Sequence, residues 1–230
     1  CYNYIVIISL FTKKRKIFYF FFLIIYTYNI KLKKEKNMNN QVIETIKQRR
    51  SIRKYKDQRI KQEELNIILD AGKYAPSALN QQSSLIVVVN DKEIYKELCL
   101  LTDKYFPNRK PYFYNAKDIV IVFGDSNCKC PIEDGSLVLQ NMFLAATSLN
   151  IGSCWINYLR DLFKTEEGIK LQEKMNIPSN YFVIGTCILG YPDEQPNLKP
   201  RKEDYIKVNL VSLVMVLTMH YMRLKRILTT

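Results

Sequence analysis

The order of apolar and polar residues predicts five helices in the middle of the chain. Apolar side chains recur there every three or four residues, the spacing that places them on one helix face. Leu65, Ile68 and Leu69 form such a face, and Pro76 follows it as a stop because proline lacks an amide donor. The longest apolar pattern comes later and predicts the central helix. The predicted ranges are Gln41–Lys47, Lys61–Ala75, Asp91–Leu101, Asp134–Leu149 and Thr165–Met175.

Three apolar runs predict buried strands at Ser84–Val89, Asp118–Phe123 and Tyr181–Leu189. They are short and rich in β-branched and aromatic residues, which favour a pleated, buried backbone. The strands are interspersed with the helices, with no internal repeat and no linker. The sequence therefore predicts one α+β domain over residues 38–209. Beyond the third strand, Ile206–Leu217 is compatible with either a strand or a packing arm.

The positive charge of the chain is concentrated at its ends. The formal net charge is +13, yet residues 1–37 alone hold eight Lys/Arg and one acid. Residues 210–230 add three Lys/Arg and no acid, which leaves 24 bases against 21 acids between them. A nearly balanced domain argues against a nucleic-acid-binding surface.

Residues 1–37 have the composition of a leader outside the domain. Thirty of them are Phe, Tyr, Ile, Lys, Asn or Leu, which A/T-rich codons favour, and Met38 follows. We interpret 1–37 as a non-native, upstream-translated leader and 210–230 as a C-terminal arm or trailer. A membrane anchor is the alternative, although the apolar run Ile17–Ile30 is shorter than the roughly 20 residues of a spanning helix. A signal peptide is a further alternative, but no small-residue cleavage site precedes Met38.

The residue inventory of the domain excludes several kinds of catalytic site. The only histidine, His220, lies in the tail, so Ser–His, Cys–His and His-ligated zinc sites lack an imidazole. The seven glycines form neither a dinucleotide-binding motif nor a P-loop. Six scattered cysteines fit a reducing compartment better than a disulfide scaffold, and Cys128 and Cys130 are interpreted as loop thiols rather than metal ligands. We therefore expect a cytoplasmic protein without a metal.

Four separate segments carry groups that suit a flat, phosphorylated ligand. Guanidinium groups with a hydroxyl between them suit a phosphate. A turn of small residues lets backbone approach a flat ring, and side-chain amides match a heteroaromatic edge. Taken alone, these segments are also typical of a solvated helix end, a polar loop or a charged surface. The segments are Arg49–Arg53, Ala75–Gln82, Asn150–Asn157 and Lys199–Arg201.

In this order and spacing, the segments resemble the nitroreductase family of FMN-dependent oxidoreductases. The family pattern R-x-S-x-R/K is matched by Arg49, Ser51 and Arg53, and the P-S-x-x-N-x-Q loop by Pro76, Ser77, Asn80 and Gln82. A Q-N-x-x-L-A-A-like helix face, a G-L-G-S-C-W-like segment, L-G-Y-P and K-x-R follow at Gln140–Ala146, Asn150–Trp155, Leu189–Pro192 and Lys199–Arg201. The resemblance covers about residues 40–208. It implies a nitroreductase-like α+β fold, with a central, mainly antiparallel sheet flanked by helices, in a homodimer.

The resemblance also implies a role for each matching residue. Arg49, Ser51, Lys199 and Arg201 would hold the ribityl phosphate with help from the backbone of Arg50. Arg53 would lie near the pyrimidine edge of the flavin, where a cation favours the reduced anionic form. The second subunit would contribute Pro76, Ser77, Ala78 and Asn80, with Gln82 as a weaker candidate. The backbone of Ile156 and Asn157 would face flavin N5, although the family often has an acidic residue and a glycine there.

The implied activity is hydride transfer from NAD(P)H through flavin N5 to a nitroaromatic, a quinone or a similar acceptor. No side chain is needed as a catalyst, and the two substrates would alternate in one pocket. Tyr105, Phe106, Tyr112, Phe113 and Tyr114 are interpreted as a mobile aromatic cover on that pocket. Dehalogenation or peptide-ring oxidation are alternatives within the family. A flavin-binding storage or sensor module without turnover and a membrane-anchored interaction protein are alternatives outside it.

Overall fold

The computed structural model of the chain describes residues 40–207. Within these residues, a first unit ends at Gln195 and a second begins at Pro196. The second unit contains one short 3-10 turn at Glu203–Tyr205. The predicted boundaries at 37/38 and 209/210, and most of the predicted strand or arm at Ile206–Leu217, lie outside the described residues.

Four antiparallel strands form the sheet of the first unit, in the order β1-β2-β4-β3. All three predicted strands are present, as β1 (Ser84–Val88), β2 (Asp118–Asp125) and β4 (Tyr181–Gly190). The fourth, β3 (Gly152–Ile156), was not predicted, and it pairs with the outer edge of β4 from Gly152–Gly190 to Ile156–Thr186. A register shift between Val122 and Phe123 marks an irregularity in the β2–β4 pairing.

Helices surround this sheet, and their ends follow local capping chemistry. The Asp91 carboxylate caps its helix by accepting from the amides of Glu93 and Ile94, at 2.8 and 2.9 Å. The central helix begins at Pro131, three residues before the predicted start, because proline is well suited to the first helical turn. The helices are α1 (Gln41–Gln48), α2 (Gln62–Lys73), α3 (Lys92–Tyr105), α4 (Pro131–Ser148), α5 (Leu159–Leu162) and α6 (Glu166–Lys174).

A hydrophobic core lies on each face of the sheet. Side chains of α2 and α4 pack on one face, where Ile68, Leu139 and Met142 are fully buried. The other face is covered by α3, α5 and α6, with Leu98, Leu162 and Leu171 fully buried. Both faces of the central strand β2 are therefore shielded from water, which explains its continuous apolar sequence. The predicted α+β fold, with a mainly antiparallel sheet flanked by helices, is confirmed.

Candidate functional site

The segment that follows α1 lies along the free edge of β3. Ser51 forms a parallel bridge with Ser153, and the amide of Ile52 donates to the carbonyl of Ser153 at 2.9 Å. Ile52 is buried against Gly152, where an added Cβ would stand 3.0 Å from the isoleucine side chain. In an extended segment, alternate residues share a side. With Ile52 turned into the core, Arg49, Ser51 and Arg53 are therefore expected on the opposite side.

Three of the predicted flavin-binding residues, Arg49, Ser51 and Arg53, lie near the thiol of Cys154. Burial raises the pKa of the Cys154 thiol, while the charge of Arg53, a hydrogen bond from Ser51 and the charge of Arg49 lower it. Two guanidinium groups and a hydroxyl thus lie in the neighbourhood of Cys154 on β3. This donor set matches a phosphate, which accepts several charge-assisted hydrogen bonds at once.

The side chain of Arg50 has a different role from those of its neighbours. Its Nη1 donates to the carbonyls of Lys47 and Arg49, both at 2.6 Å, and so satisfies acceptors at the end of α1. The prediction for this residue concerned its backbone only, and it stays a prediction. The guanidinium stabilises the helix end from which the site begins.

The segment around Arg53, which we call the Arg53 segment, also forms backbone hydrogen bonds with the residues that follow β4. The Lys56 amide donates to the carbonyl of Tyr191, and the Asp193 amide to that of Lys54, both at 2.9 Å. The carboxylate of Glu194 accepts from the backbone amide of Arg53. Lys199 and Arg201 belong to the second unit and are exposed, so their part in binding phosphate rests on the resemblance alone.

The Pro76–Gln82 loop is ordered by its own hydrogen bonds. Ser77 Oγ accepts from the amide of Gln82 at 3.0 Å, and Gln82 Nε2 donates to Asn80 Oδ1 at 3.4 Å. Leu79, Asn80 and Gln82 adopt left-handed φ angles of 55°, 55° and 50°. Such angles are costly for residues other than glycine and require a surrounding structure that holds them. Asn80 and Gln82 remain exposed on this loop.

Asp134, on the first turn of α4, anchors this loop to the helix. Its Oδ1 accepts from the amide of Ala78 at 2.9 Å, and its Oδ2 accepts from the hydroxyl of Ser83 at 2.7 Å. The carboxylate is 97% buried, since only 3% of the residue is exposed. Sequence reasoning missed this residue because acids are common in the first turn of a helix, where the helix dipole favours them, so Asp134 carries no signal of burial.

A cleft of about 410 Å³ opens where β3 ends. Ile156 and Asn157, the predicted neighbours of flavin N5, line it together with Trp155. The indole Nε1 of Trp155 donates to Asn157 Oδ1 at 3.3 Å and so orients the side chain of Asn157. The indole lies over Gly185, where an added Cβ would stand 2.5 Å from the ring. The indole can occupy this position in the cleft wall because Gly185 on β4 has no side chain.

Part of the aromatic segment before β2 lines the same cleft. Phe113 is 1% exposed and packs in the core, and the Tyr105 hydroxyl donates to the Glu167 carboxylate. Phe106, Phe113 and Tyr114 line the cleft, whereas Tyr105 and Tyr112 do not. The predicted cover is therefore corrected for Tyr105 and Tyr112, whereas its mobility stays a prediction.

The Arg53 segment and the Pro76–Gln82 loop lie at opposite ends of the sheet. The register places Ser153 beside Leu189, near one end of β4. At the other end, Asp125 pairs with Tyr181 and its amide donates to the carbonyl of Ser83. Eight residues of β4 separate the two levels, a distance of roughly 26 Å at the usual rise of a strand. One protomer therefore does not bring the two predicted groups together.

The described residues contain neither a metal-ligand cluster nor a helix that could span a membrane. Between residues 40 and 207, no three His, Cys, Asp or Glu side chains are grouped as metal ligands. Over the same range, no helix has both the length and the apolar character needed to cross a membrane.

Comparison with known proteins places this geometry in a family. A model of the Nitroreductase family matches residues 46–119 and 107–191. A Methanothermobacter thermautotrophicus protein, provisionally named NADH dehydrogenase/NAD(P)H nitroreductase, is 34% identical over 165 residues, which are 69% of this chain and 81% of the relative. The NADPH-flavin oxidoreductase of Vibrio harveyi is 29% identical over 74% of this chain and 73% of its own.

A solved structure agrees with the sequence comparisons. The crystal structure of a Bacteroides fragilis nitroreductase with bound FMN superimposes with a TM-score of 0.66 and 34% identity. The match covers 74% of this chain and all of the Bacteroides chain. The resemblance predicted from four short segments is thereby confirmed: the chain belongs to the nitroreductase family.

Proposed function

We propose that the chain is an FMN-dependent NAD(P)H oxidoreductase that reduces a nitroaromatic, a quinone or a similar small acceptor. FMN in the Bacteroides structure and the flavin-reductase activity named for the Vibrio relative support the cofactor and the enzyme class. The observation that carries the proposal is the grouping of Arg49, Ser51 and Arg53 at the edge of β3, within a few residues of the Trp155–Asn157 cleft.

The residues at the β3 edge fit the phosphate of FMN. Arg49 supplies a positive charge and Ser51 a hydroxyl, both of which a phosphate can accept hydrogen bonds from. The backbone of Arg50, and Lys199 and Arg201 beyond the first unit, complete the proposed set. Arg53, four residues from Arg49, would place its charge toward the pyrimidine edge of the ring. The backbone of Ile156 and Asn157 would face flavin N5.

The Pro76–Gln82 loop would reach the same flavin from a second copy of the chain. A separation of roughly 26 Å along the sheet is longer than one FMN molecule, so a single protomer does not surround it with both groups. Pro76, Ser77, Ala78, Asn80 and Gln82 would then act across a homodimer interface. Two identical sites would follow from the two-fold symmetry of such a dimer.

Exposed apolar side chains on the outer surface of the first unit support that interface. Val42 and Ile46 on α1 are 65% and 50% exposed, and Leu79 in the loop is 79% exposed. Leu137 and Leu144 lie on the outer face of α4, of which Leu137 is 43% exposed. Burying such surface against a second copy is favourable at about 25 cal/mol per Å² of apolar area.

The protein's contribution to the reaction is binding, orientation and exclusion of water. When bound, FMN supplies the chemistry by accepting a hydride at N5 from NADH or NADPH and returning two electrons to the acceptor. The fixed amide of Asn157 and the backbone of Ile156 orient what enters the cleft. Phe113, Tyr114 and Trp155 give it apolar walls. Protons can come from water, so the absence of a histidine from residues 40–207 is compatible with the reaction.

The test of this function is a reduction cycle followed in the visible spectrum of the purified full chain. Flavin absorption should bleach when NADH or NADPH is added without air and should return when a nitroaromatic or quinone is added. A yellow protein that never bleaches would indicate a storage or sensor module instead. A colourless protein that takes up no added FMN would contradict the proposal.

A further inference from the structure

We propose that the mouth of the Trp155–Asn157 cleft contains an anion subsite in which Arg109 binds a negatively charged group of the substrate. The substrate class is then an aromatic compound bearing a carboxylate, sulfonate or phosphate. This inference rests on the proposed function, since it concerns what enters the same cleft. The acidic group can be a substituent of the electron acceptor or the phosphate of NADPH, because either anion would bind the guanidinium in the same way.

A stack of aromatic rings holds Arg109 at the cleft. Its guanidinium carbon lies 5.7 Å from the centroid of the Tyr158 ring, within the range of a cation–π contact. Tyr158 packs in turn on Phe106 at 5.5 Å and on the buried Phe113 at 6.0 Å. The Arg109 amide also donates to the carbonyl of Phe106 at 3.1 Å. The guanidinium therefore rests on a packed aromatic platform and lines the cleft.

Of the charged residues that line the cleft, Lys110 and Asp161 form ion pairs and Arg109 does not. Lys110 pairs with Asp103 at 3.2 Å, and Asp161 pairs with Lys164 at 3.0 Å. No carboxylate of the residues described lies within ion-pair distance of Arg109. Burial raises the pKa of Tyr158, so the ring beneath Arg109 stays neutral at physiological pH. The cleft mouth consequently carries one unpaired positive charge.

The remaining walls define what accompanies the anionic group. Trp155, Phe113 and Tyr114 present aromatic surface, and the side chains of Asn108 and Asn157 add amides. A cavity of about 410 Å³ accommodates a substituted aromatic ring. A flat ring against the apolar walls, with its acidic group at Arg109, matches the polarity of this surface from the base of the cleft to its mouth.

Ligand binding can be measured without turnover, because Trp155 in the cleft wall is the only tryptophan of the chain. The flavin-loaded full chain is titrated with 4-nitrobenzoate and with neutral, similarly shaped 4-nitrobenzamide while Trp155 fluorescence is recorded. Arg109→Gln should weaken nitrobenzoate binding about tenfold and leave nitrobenzamide within about twofold, as expected for loss of a charge-assisted contact. Arg109→Lys should restore part of the preference because it keeps the charge.

A control variant tests whether the effect is specific to Arg109, and a comparison of NADPH with NADH identifies which molecule carries the anionic group. Lys96→Gln removes an exposed cation of α3 that does not line the cleft, and it should change neither affinity. In parallel, the rate of flavin bleaching is compared for NADPH and NADH. A loss by Arg109→Gln specific to NADPH assigns the subsite to the co-substrate phosphate, and a loss specific to nitrobenzoate assigns it to the acceptor.

Equal effects of Arg109→Gln on both nitro compounds, together with equal effects on NADPH and NADH, would overturn the subsite. That result is distinct from failure of the proposed function, which would appear as wild-type flavin that NAD(P)H does not bleach. Selective nitrobenzoate binding by such an inactive wild type would still support the subsite.

Discussion

At the residue scale, Asp134 connects the loop proposed to contact the flavin with α4, the longest helix between residues 40 and 207. Replacing it with alanine leaves the Ala78 amide and the Ser83 hydroxyl without their acceptor in a buried position. We expect Asp134→Ala to lower the free energy of unfolding by about 1–3 kcal/mol. FMN affinity, measured by quenching of flavin fluorescence, should fall as well because the loop loses its anchor.

The neighbouring Glu133 provides the matched control for this prediction. It is an exposed acid on the same helical turn, so Glu133→Ala should leave urea unfolding and FMN affinity near their wild-type values. Equal stability of the two variants would show that Asp134 does not anchor the loop.

Individual residues also show where prediction from sequence ends. Arg49, Ser51 and Arg53 are recognisable because one short, spaced motif contains all three. Asp134 and Arg109 have no such motif. In the sequence, Ser83 is 51 residues from Asp134, and Tyr158 is 49 residues from Arg109. Only the fold brings the members of each pair together.

At the scale of elements, Glu167 fastens α6 to the end of α3. Lys104 and the Tyr105 hydroxyl both donate to its carboxylate and lower the pKa of Glu167 to about 2. Because the folded-state pKa lies below the unfolded value, this stabilisation is present above about pH 4.5 and is lost as the pH falls toward 2. The contact matters to the site because Phe106 and Arg109 follow directly after α3.

A pH series of urea unfolding tests this contact. Glu167→Gln should be less stable than wild type at pH 6, and the difference should shrink steadily toward pH 3. High salt should also reduce the difference, since the pair is accessible to solvent. Glu173→Gln, an exposed change on the same helix, serves as the control. A difference between wild type and Glu167→Gln that does not vary with pH would contradict the assignment.

Elements whose own sequence is strongly patterned were predictable, and β3 was not. The apolar runs of β1, β2 and β4 are buried on both faces or dense in β-branched residues. In contrast, three of the five residues of β3, namely Gly152, Ser153 and Cys154, have no strong strand preference. It forms because β4 offers a free edge, and this is tertiary information.

At the scale of the whole molecule, the two proposed halves of the flavin site lie at opposite ends of one sheet. The separation could not be read from the sequence, because it depends on the strand order β1-β2-β4-β3 and on the register of β4. It supports the proposal that two copies of the chain form each flavin site. One copy supplies Arg49, Ser51 and Arg53, and the other supplies the Pro76–Gln82 loop.

Flavin content of a mixed dimer tests this central claim most directly. One chain carries Ser51→Ala with Arg53→Ala, and the other carries Asn80→Gly with Gln82→Gly, where glycine tolerates the left-handed backbone. Each variant alone should bind little FMN. The heterodimer, isolated through two different affinity tags, should bind about half the wild-type flavin per chain, because one of its two sites is intact. A heterodimer as empty as both parents would mean that a single copy forms the site and would contradict the account.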